Sequence, residues 1–100
     1  MAQLPKSREF YNPTLQALHK LGRDHREQVY KEVARIMRLS EEQLAIPGRR
    51  NGGGIEKFKA GHRTAWALNR LRELGLATSD KRGVWWLTDE GKKTQRIGPY

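Results

Sequence analysis

The sequence predicts a single, mainly helical α+β domain of the winged helix-turn-helix class. Four segments carry apolar residues at helical spacing, and the last and longest is followed by two short β-prone runs, "LAT" and "VWWLT". A chain of 100 residues has room for one modest core. Because it contains no cysteine, that core must hold by packing alone. We expect an N-terminal tail over residues 1–10, the domain over residues 11–96, and a C-terminal tail over residues 97–100.

The first helix is predicted to begin with Asn12 as its N-cap and Pro13 as its first residue. Gly22 offers a C-terminal stop, because glycine readily adopts the left-handed conformation that ends helices. Apolar side chains recur between these signals at Tyr11, Leu15, Leu18 and Leu21. Their spacing predicts one helix with a buried side.

A second and a third helix follow. The second is predicted over residues 26–38, with one apolar face formed by Val29, Val33, Ile36 and Met37. Ser40, with Gln43 three residues later, matches a capping box and predicts a short third helix. Pro47 and Gly48 end it.

The next stretch, "PGRRNGGGIEKFKAGH", covers residues 47–62 and is too glycine-rich to be expected to form a stable element. Its three consecutive glycines suggest a phosphate cradle, but the GK[ST] ending of a P-loop is missing. We therefore expect a flexible basic connector.

The long helix is predicted over residues 60–74 and stops at Gly75. At about 100° per residue, one arc of this helix is apolar and suited to the core. It comprises Ala60, Thr64, Ala67, Leu68, Leu71 and Leu74. Trp66 lies opposite, with His62, Asn69 and Glu73, so the largest apolar side chain of the helix points away from the core. A packing role for Trp66, beneath the wing or the glycine-rich stretch, is the structural alternative to a binding role.

The last quarter predicts a hairpin, or wing, over residues 78–84, with Gly83 in the turn. Alternation places Trp85 and Leu87 on one face and Val84, Trp86 and Thr88 on the other. We expect Trp86 to pack on the first helix, stack on nucleic acid or contact another protein. Thr88 is predicted to cap a final short helix that begins with acidic residues.

The charge favours a polyanionic partner. Lys and Arg number 20 against 11 Asp and Glu, a formal net charge of +9, and the pI is about 10.4. The excess is +2 over residues 1–48 and +7 over residues 49–100. A basic composition that serves only solubility is the alternative. A helix suited to the major groove favours double-stranded DNA over RNA, although charge alone permits both.

The stretch "HRTAWALNRLRELGLATSDKRGVWWLTDEGKK" resembles part of the N-terminal winged-helix domain of Mrr-type restriction proteins. The resemblance is carried by its R-x-x-W-A helix, L-x-x-x-G-L exit, R-G-V-W strand and L-T-x-x-G ending. The upstream "REQVYKEVARIMRLSEEQL" also fits, so the likeness covers about residues 10–95. It implies a DNA-binding winged helix that the family joins to a separate nuclease domain acting on modified DNA.

Two departures from the family pattern stand out. Gly61 and His62 precede the arginine where a polar residue such as asparagine is more usual, and Trp86 replaces a charged or polar residue. Either change affects which sequence or modification is recognised. Because the chain ends soon after the last helix, we expect the catalytic domain to be absent, lost by truncation, or supplied by a partner.

The predicted base contacts lie on the exposed side of the long helix: His62, Arg63, Trp66, Asn69 and Arg70. Asparagine pairs with adenine N6 and N7, and an apolar surface suits a methyl group. Asn69 and Trp66 are therefore candidates for recognising a methylated base. Arg63 and Arg70 fit either a guanine edge or a phosphate.

Other basic residues are predicted to contact the DNA backbone and set affinity and salt dependence. They are Arg49, Arg50, Lys57, Lys59, Lys92, Lys93 and Arg96. Lys81 and Arg82 at the wing tip suit phosphate or the minor groove, with a solvated turn as the alternative. Trp86 is a further wing candidate.

No catalytic residue, metal site or cofactor is predicted. Glu90 and Lys92 form an E-x-K like that of restriction nucleases, but at the start of a helix rather than on a central strand. His19, His25 and His62 are not spaced as metal ligands. A winged-helix transcription regulator and a protein-interaction winged helix are the alternative functions. No signal peptide or membrane-spanning run is present, so we expect a cytoplasmic protein.

Overall fold

The computed structural model describes residues 2–48 and 53–99. Its α-helices are α1 (Tyr11–Leu21), α2 (Arg26–Ile36), α3 (Glu41–Leu44), α4 (Lys59–Glu73) and α5 (Asp89–Lys93). Its strands are β1 (Arg23–His25), β2 (Ala77–Ser79) and β3 (Val84–Leu87), and 3-10 helices cover Ser7–Phe10 and Gly54–Lys57. The mainly helical α+β class is confirmed, and the order of elements is that of a winged helix.

The core lies between α1, α2 and α4. Each helix contributes the face that its periodicity predicts, because residues three and four apart lie on the same side of a helix. The largest fully buried apolar side chains are Phe10, Leu15, Leu18, Val29, Val33, Leu68 and Leu71. Trp85 and Leu87 share one face of β3, as strand alternation predicts, and this face covers the core, whereas Trp86 takes the opposite face.

The three strands form one antiparallel sheet in the order β1–β3–β2. The wing predicted over residues 78–84 is confirmed as the β2–β3 hairpin. Strand β1 was not predicted, because "RDH" is polar and has no β-prone pattern. It adds to the far edge of β3, where Arg23 pairs with Trp86.

Most predicted helix ends are confirmed. Ser40 Oγ accepts a hydrogen bond from Gln43 N at 3.1 Å, and Gln43 Oε1 accepts one from Ser40 N at 2.8 Å. Thr88 Oγ1 caps α5 by accepting from Gly91 N at 3.1 Å. Gly75 ends α4 with φ at 78°, a backbone conformation that costs glycine little.

Asn12 as an N-cap is wrong. The 3-10 helix at Ser7–Phe10 runs directly into α1, so Asn12 is already helical. Its side-chain amide instead donates to Ile97 O at 2.9 Å and accepts from Ile97 N at 2.8 Å. A residue with capping chemistry therefore ties the start of α1 to the segment after α5, and both segments assigned as tails contact the domain.

The described part of the connector, residues 47–48 and 53–62, is more ordered than its glycine content predicts. Gly54–Lys57 is a 3-10 helix whose Ile55 is buried, and Pro47 pairs with Phe58 in an isolated antiparallel bridge. A Cβ at Gly61 would overlap the backbone carbonyl of Ile55, so glycine at that position lets the two helices touch. Residues 49–52, including the predicted contacts Arg49 and Arg50, lie outside the described residues.

Leu74 does not join the core as its phase predicts. It is the C-cap of α4, one residue past the helix, and its side chain is 44% exposed. The five other members of the predicted apolar arc are buried, because they lie within the helix. Within the described ranges, no helix is long and apolar enough to cross a membrane.

Candidate nucleic-acid interface

The exposed side of α4 is the face that sequence periodicity assigns away from the core. Trp66 is 58% exposed, which confirms that it points outwards. Asn69, one turn of helix further on at position i+3, is exposed, and Glu73 follows at i+7. An indole and a carboxamide therefore stand side by side on a rigid helix, where solvent or a ligand reaches both.

Trp66 forms one wall of a groove of about 600 Å³ between α4 and the N-terminal part of the chain. The groove combines two aromatic rings with three guanidinium groups, an amide and one carboxylate. Its lining residues are Arg8, Tyr11, Trp66, Asn69, Arg70, Arg72 and Glu73. Such a surface suits a flat or methylated aromatic group that carries negative charge nearby.

Three of the five predicted base-contact residues line this groove: Trp66, Asn69 and Arg70. Arg70 is partly neutralised, since its Nη1 donates to Glu73 Oε2 at 3.1 Å. Arg63 lies on the flank of α4 and donates from Nη1 to the backbone carbonyl of Pro5. Its guanidinium is thus engaged by the N-terminal segment rather than placed beside Asn69.

His62 lies one turn before Trp66. The two rings meet edge to face, with centroids 6.4 Å apart and planes at 74°. On its other side, His62 Nδ1 lies 3.2 Å from Glu56 Oε1 in the second 3-10 helix. Phe58, at the N-cap of α4, is also substantially exposed, so the exposed side of this helix is notably aromatic.

A second basic groove, of about 390 Å³, lies under the wing tip. It gathers residues from the start of α2, the end of α4 and the β2–β3 turn. The basic side chains among its lining residues are His25, Arg26, Arg72, Lys81 and Arg82. Lys81 and Arg82 are exposed at the tip, as the sequence predicts.

Asp80 shapes the wing turn. Its Oδ1 accepts hydrogen bonds from Val84 N at 3.0 Å and Arg82 N at 2.9 Å. These bonds, led by that from Val84, lower the pKa of the Asp80 carboxyl, and the nearby charges of Arg23 and Arg82 add to the effect. Gly83 completes the turn with φ at 83°. The carboxylate therefore fixes the backbone that carries the two basic wing residues.

Arg72 connects the two grooves and is a site residue that the sequence did not single out. Its Cζ lies 4.3 Å from the centre of the Trp85 ring, and its Nη2 donates to Ser79 Oγ in β2. It lines both the Trp66 groove and the wing groove. Its position three residues after Asn69 is the sequence feature that indicates a place near the site. Its helical phase, however, places it on a flank of α4 and not beside Trp66.

Trp86 packs within the protein. The Arg23 guanidinium lies 3.9 Å from its ring centre, and both residues belong to the outer face of the sheet. Of the three expectations for Trp86, none included this arginine, because β1 was not foreseen. Its half-buried ring still borders solvent.

The remaining basic candidates are dispersed. Lys57 is exposed at the end of the second 3-10 helix, Lys59 is exposed at the start of α4, and Lys92 and Lys93 are exposed on α5. None of these four lines the Trp66 groove or the wing groove. Arg96 is exposed after α5.

The histidines lie on separate elements. His19 Nε2 is 2.7 Å from Thr94 O, and His25 Nδ1 accepts from Glu27 N at 3.2 Å. In residues 2–48 and 53–99, no group of three or more His, Cys, Asp and Glu residues is placed to hold a metal ion. Glu90 and Lys92 lie on α5, exposed and away from any central strand.

Comparison with protein families gives a match to the Mrr N-terminal domain over residues 8–96. Curated proteins and solved structures give no match to the chain. Because the family match covers nearly the whole chain, the chain belongs to the Mrr N-terminal domain family, an N-terminal module of Mrr proteins.

Proposed function

From this membership we propose that the chain is a double-stranded DNA-binding module of a modification-dependent restriction system. In this proposal α4 enters the major groove and the β2–β3 wing lies beside it, the arrangement that winged helices use. The module binds DNA and leaves cleavage to a nuclease domain or subunit to which it is joined. It uses no cofactor of its own.

The single observation that carries the proposal is the exposure of Trp66 beside Asn69 on α4. A tryptophan in the middle of a helix normally contributes its large apolar surface to a core. Here that surface faces outwards in a groove that also contains Arg8, Arg70 and Arg72. An apolar face suits the methyl group of thymine or of a modified base, and a neighbouring amide suits adenine.

Arg72 and the wing tip supply the electrostatic part of the interface. Arg72 lines both grooves, so it links the Trp66 groove on α4 to the groove that Lys81 and Arg82 line. We assign these side chains to phosphates, which position the duplex without selecting its sequence. Arg63, engaged by Pro5, is assigned to supporting the N-terminal segment.

The test is a binding titration with one duplex in three forms: unmodified, adenine-methylated and cytosine-methylated. If about five phosphates are neutralised, log K falls with log salt at a slope near −4 to −5. Tighter binding of one methylated form supports recognition of a modified base. Equal affinity for all three forms removes the modification-dependent part of the proposal.

The same titration separates the alternatives. A transcription regulator would bind an unmodified palindromic site as a dimer. A protein-interaction winged helix would bind DNA weakly, with a salt slope near zero. That last result would contradict DNA binding altogether.

A further inference from the structure

His62 occupies the part of α4 that is best placed to contact a base. It lies in the first turn of the helix, and recognition helices contact base edges with their N-terminal residues. Its side chain is 28% exposed, and its ring stands edge-on to Trp66. The imidazole therefore contacts the indole, although it lines a separate hollow beside Pro47 and Lys59.

Glu56 is the side chain that meets this ring at Nδ1. Its Oε1 lies 3.2 Å from His62 Nδ1, and an ionised carboxylate can only accept a hydrogen bond. Nδ1 must then carry the proton. Since a neutral imidazole has one N–H, Nε2 is left as a hydrogen-bond acceptor. Among residues 2–48 and 53–99, no side chain or backbone group hydrogen-bonds to Nε2.

The position of Glu56 is fixed by packing. It lies in the 3-10 helix next to Ile55, which is buried, and the Ile55 carbonyl lies against Gly61. Any larger residue at position 61 would push this 3-10 helix away from α4. The Gly61-His62 pair therefore brings Glu56 to the ring.

We propose that Glu56 holds His62 in the Nδ1–H tautomer so that Nε2 accepts a hydrogen bond from the exocyclic amino group of adenine or cytosine. This inference rests on the proposed function. In the major groove only adenine N6 and cytosine N4 present donors, whereas guanine and thymine present acceptors. His62 is thus a specificity-determining residue, and Glu56 is its positioning residue.

This contact should respond differently to a methyl group on the exocyclic nitrogen of the contacted base and to one on C5 of cytosine. A methyl group on the exocyclic nitrogen leaves one N–H, which base pairing uses, so Nε2 loses its donor. A methyl group on C5 of cytosine leaves N4 unchanged. Cytosine and C5-methylcytosine are therefore accepted by His62, and N4-methylcytosine and N6-methyladenine are disfavoured.

The tautomer is testable without DNA, by nitrogen-15 NMR of the three histidines above the pH at which imidazoles are charged. His19 Nε2 faces a carbonyl and His25 Nδ1 accepts from a backbone N–H, so both rings should carry the proton on Nε2. We expect His62 to show the opposite pattern in the same spectrum. Glu56→Ala should raise its Nε2–H population, and Glu56→Gln, which keeps an acceptor oxygen, should largely preserve the native pattern.

A wild-type His62 with its proton on Nε2 would overturn the inference, as would a tautomer unaffected by Glu56→Ala. Melting temperatures of both variants close to the wild-type value would show that the fold is retained. If Glu56→Ala does not fold, the wild-type spectrum and Glu56→Gln still decide the question.

Recognition is tested with a duplex selected by the wild-type protein from a random-sequence pool. Adenine is then replaced by purine, or cytosine by N4-methylcytosine, one position at a time. At one position we expect wild-type binding to weaken by about 5- to 150-fold, the cost of losing a specific base contact. His62→Ala should lose this sensitivity.

The two proposals fail in different ways. One outcome is that the wild type binds duplexes while every base change weakens its binding no more than it weakens binding by His62→Ala. Amino-group recognition is then wrong, and DNA binding stands. If no duplex from the pool binds, the proposed function fails and amino-group recognition fails with it. The tautomer assignment is then judged by NMR alone.

Discussion

Two tryptophans of this chain lie in opposite environments, one in the core and one exposed on a helix. Trp85, on β3, is 7% exposed and packs against the helical core, whereas Trp66, on α4, is 58% exposed. Both rings are large enough to anchor a small domain. The difference is one of phase: strand alternation points Trp85 inwards, and helix rotation points Trp66 outwards. Residue type alone therefore says little about a role.

Arg72 lies between the buried and the exposed tryptophan. Its guanidinium covers the Trp85 ring and at the same time lines the groove of Trp66. A change at Trp85 should therefore disturb both the fold and the proposed binding surface. A change at Trp66 should affect binding alone.

Trp85→Ala should cost about 3–5 kcal/mol of unfolding free energy, because it leaves a cavity between the wing and the helices. Chemical denaturation measures this loss. Trp66→Ala is the matched variant, and it should change the unfolding free energy by no more than about 0.5 kcal/mol. Equal losses in the two variants would show that both rings serve the core.

Trp66→Ala should weaken duplex binding by about 1–3 kcal/mol, which is roughly 5- to 150-fold, because it removes the apolar wall against a base. Fluorescence anisotropy with a labelled duplex gives the affinity. Leu74→Ala serves as the control, since it removes another exposed apolar side chain at the end of α4. Similar losses in both variants would point to a general effect of surface change.

Arg82→Ala should weaken binding uniformly across sequences and reduce the magnitude of the salt slope by about 1, as expected for one phosphate contact. Titrations at several salt concentrations give the slope. Lys31→Ala removes the same charge from the exposed side of α2, opposite Val29 and Val33. An identical change in slope for both variants would mean that net charge, and not the position of Arg82 in the wing, sets the salt dependence of binding.

Asp80→Asn should produce the smallest effect, a pH-dependent loss of thermal stability. Folding lowers the pKa of Asp80 from its ordinary value of 3.8, so the folded state favours the ionised carboxyl. This stabilisation is present above pH 3.8 and is lost as the pH falls towards the lowered pKa. The melting temperatures of wild type and variant should differ at neutral pH and converge in acid. A difference in melting temperature that stays constant with pH would rule out stabilisation by the ionised Asp80 carboxyl.

The elements that the sequence predicts correctly depend on neighbours in the chain. Ser40 and Gln43 are three residues apart, and the Thr88 cap and the Gly75 stop are equally local. The outward direction of Trp66 also follows from helix periodicity alone. These features follow from the residue types and their spacing in the chain, without information on tertiary packing.

The features that the sequence misses depend on distant partners. Asn12 bonds with Ile97, 85 positions away, and Arg63 bonds with Pro5, 58 positions away. Strand β1 exists because β3 offers an edge, and its own residues have no β-prone pattern. Arg72 becomes a candidate only when the wing folds back against α4. No pattern among neighbouring residues in the sequence predicts these long-range contacts.

Contact between duplex DNA and Trp66 can be observed directly in the indole N–H signals of the three tryptophans, recorded by two-dimensional NMR as duplex is added at low salt. The exposed face of α4 is the proposed contact surface, so the Trp66 signal should shift progressively to saturation while the buried Trp85 signal moves little. A Trp66 signal that stays in place at saturating duplex would contradict the account.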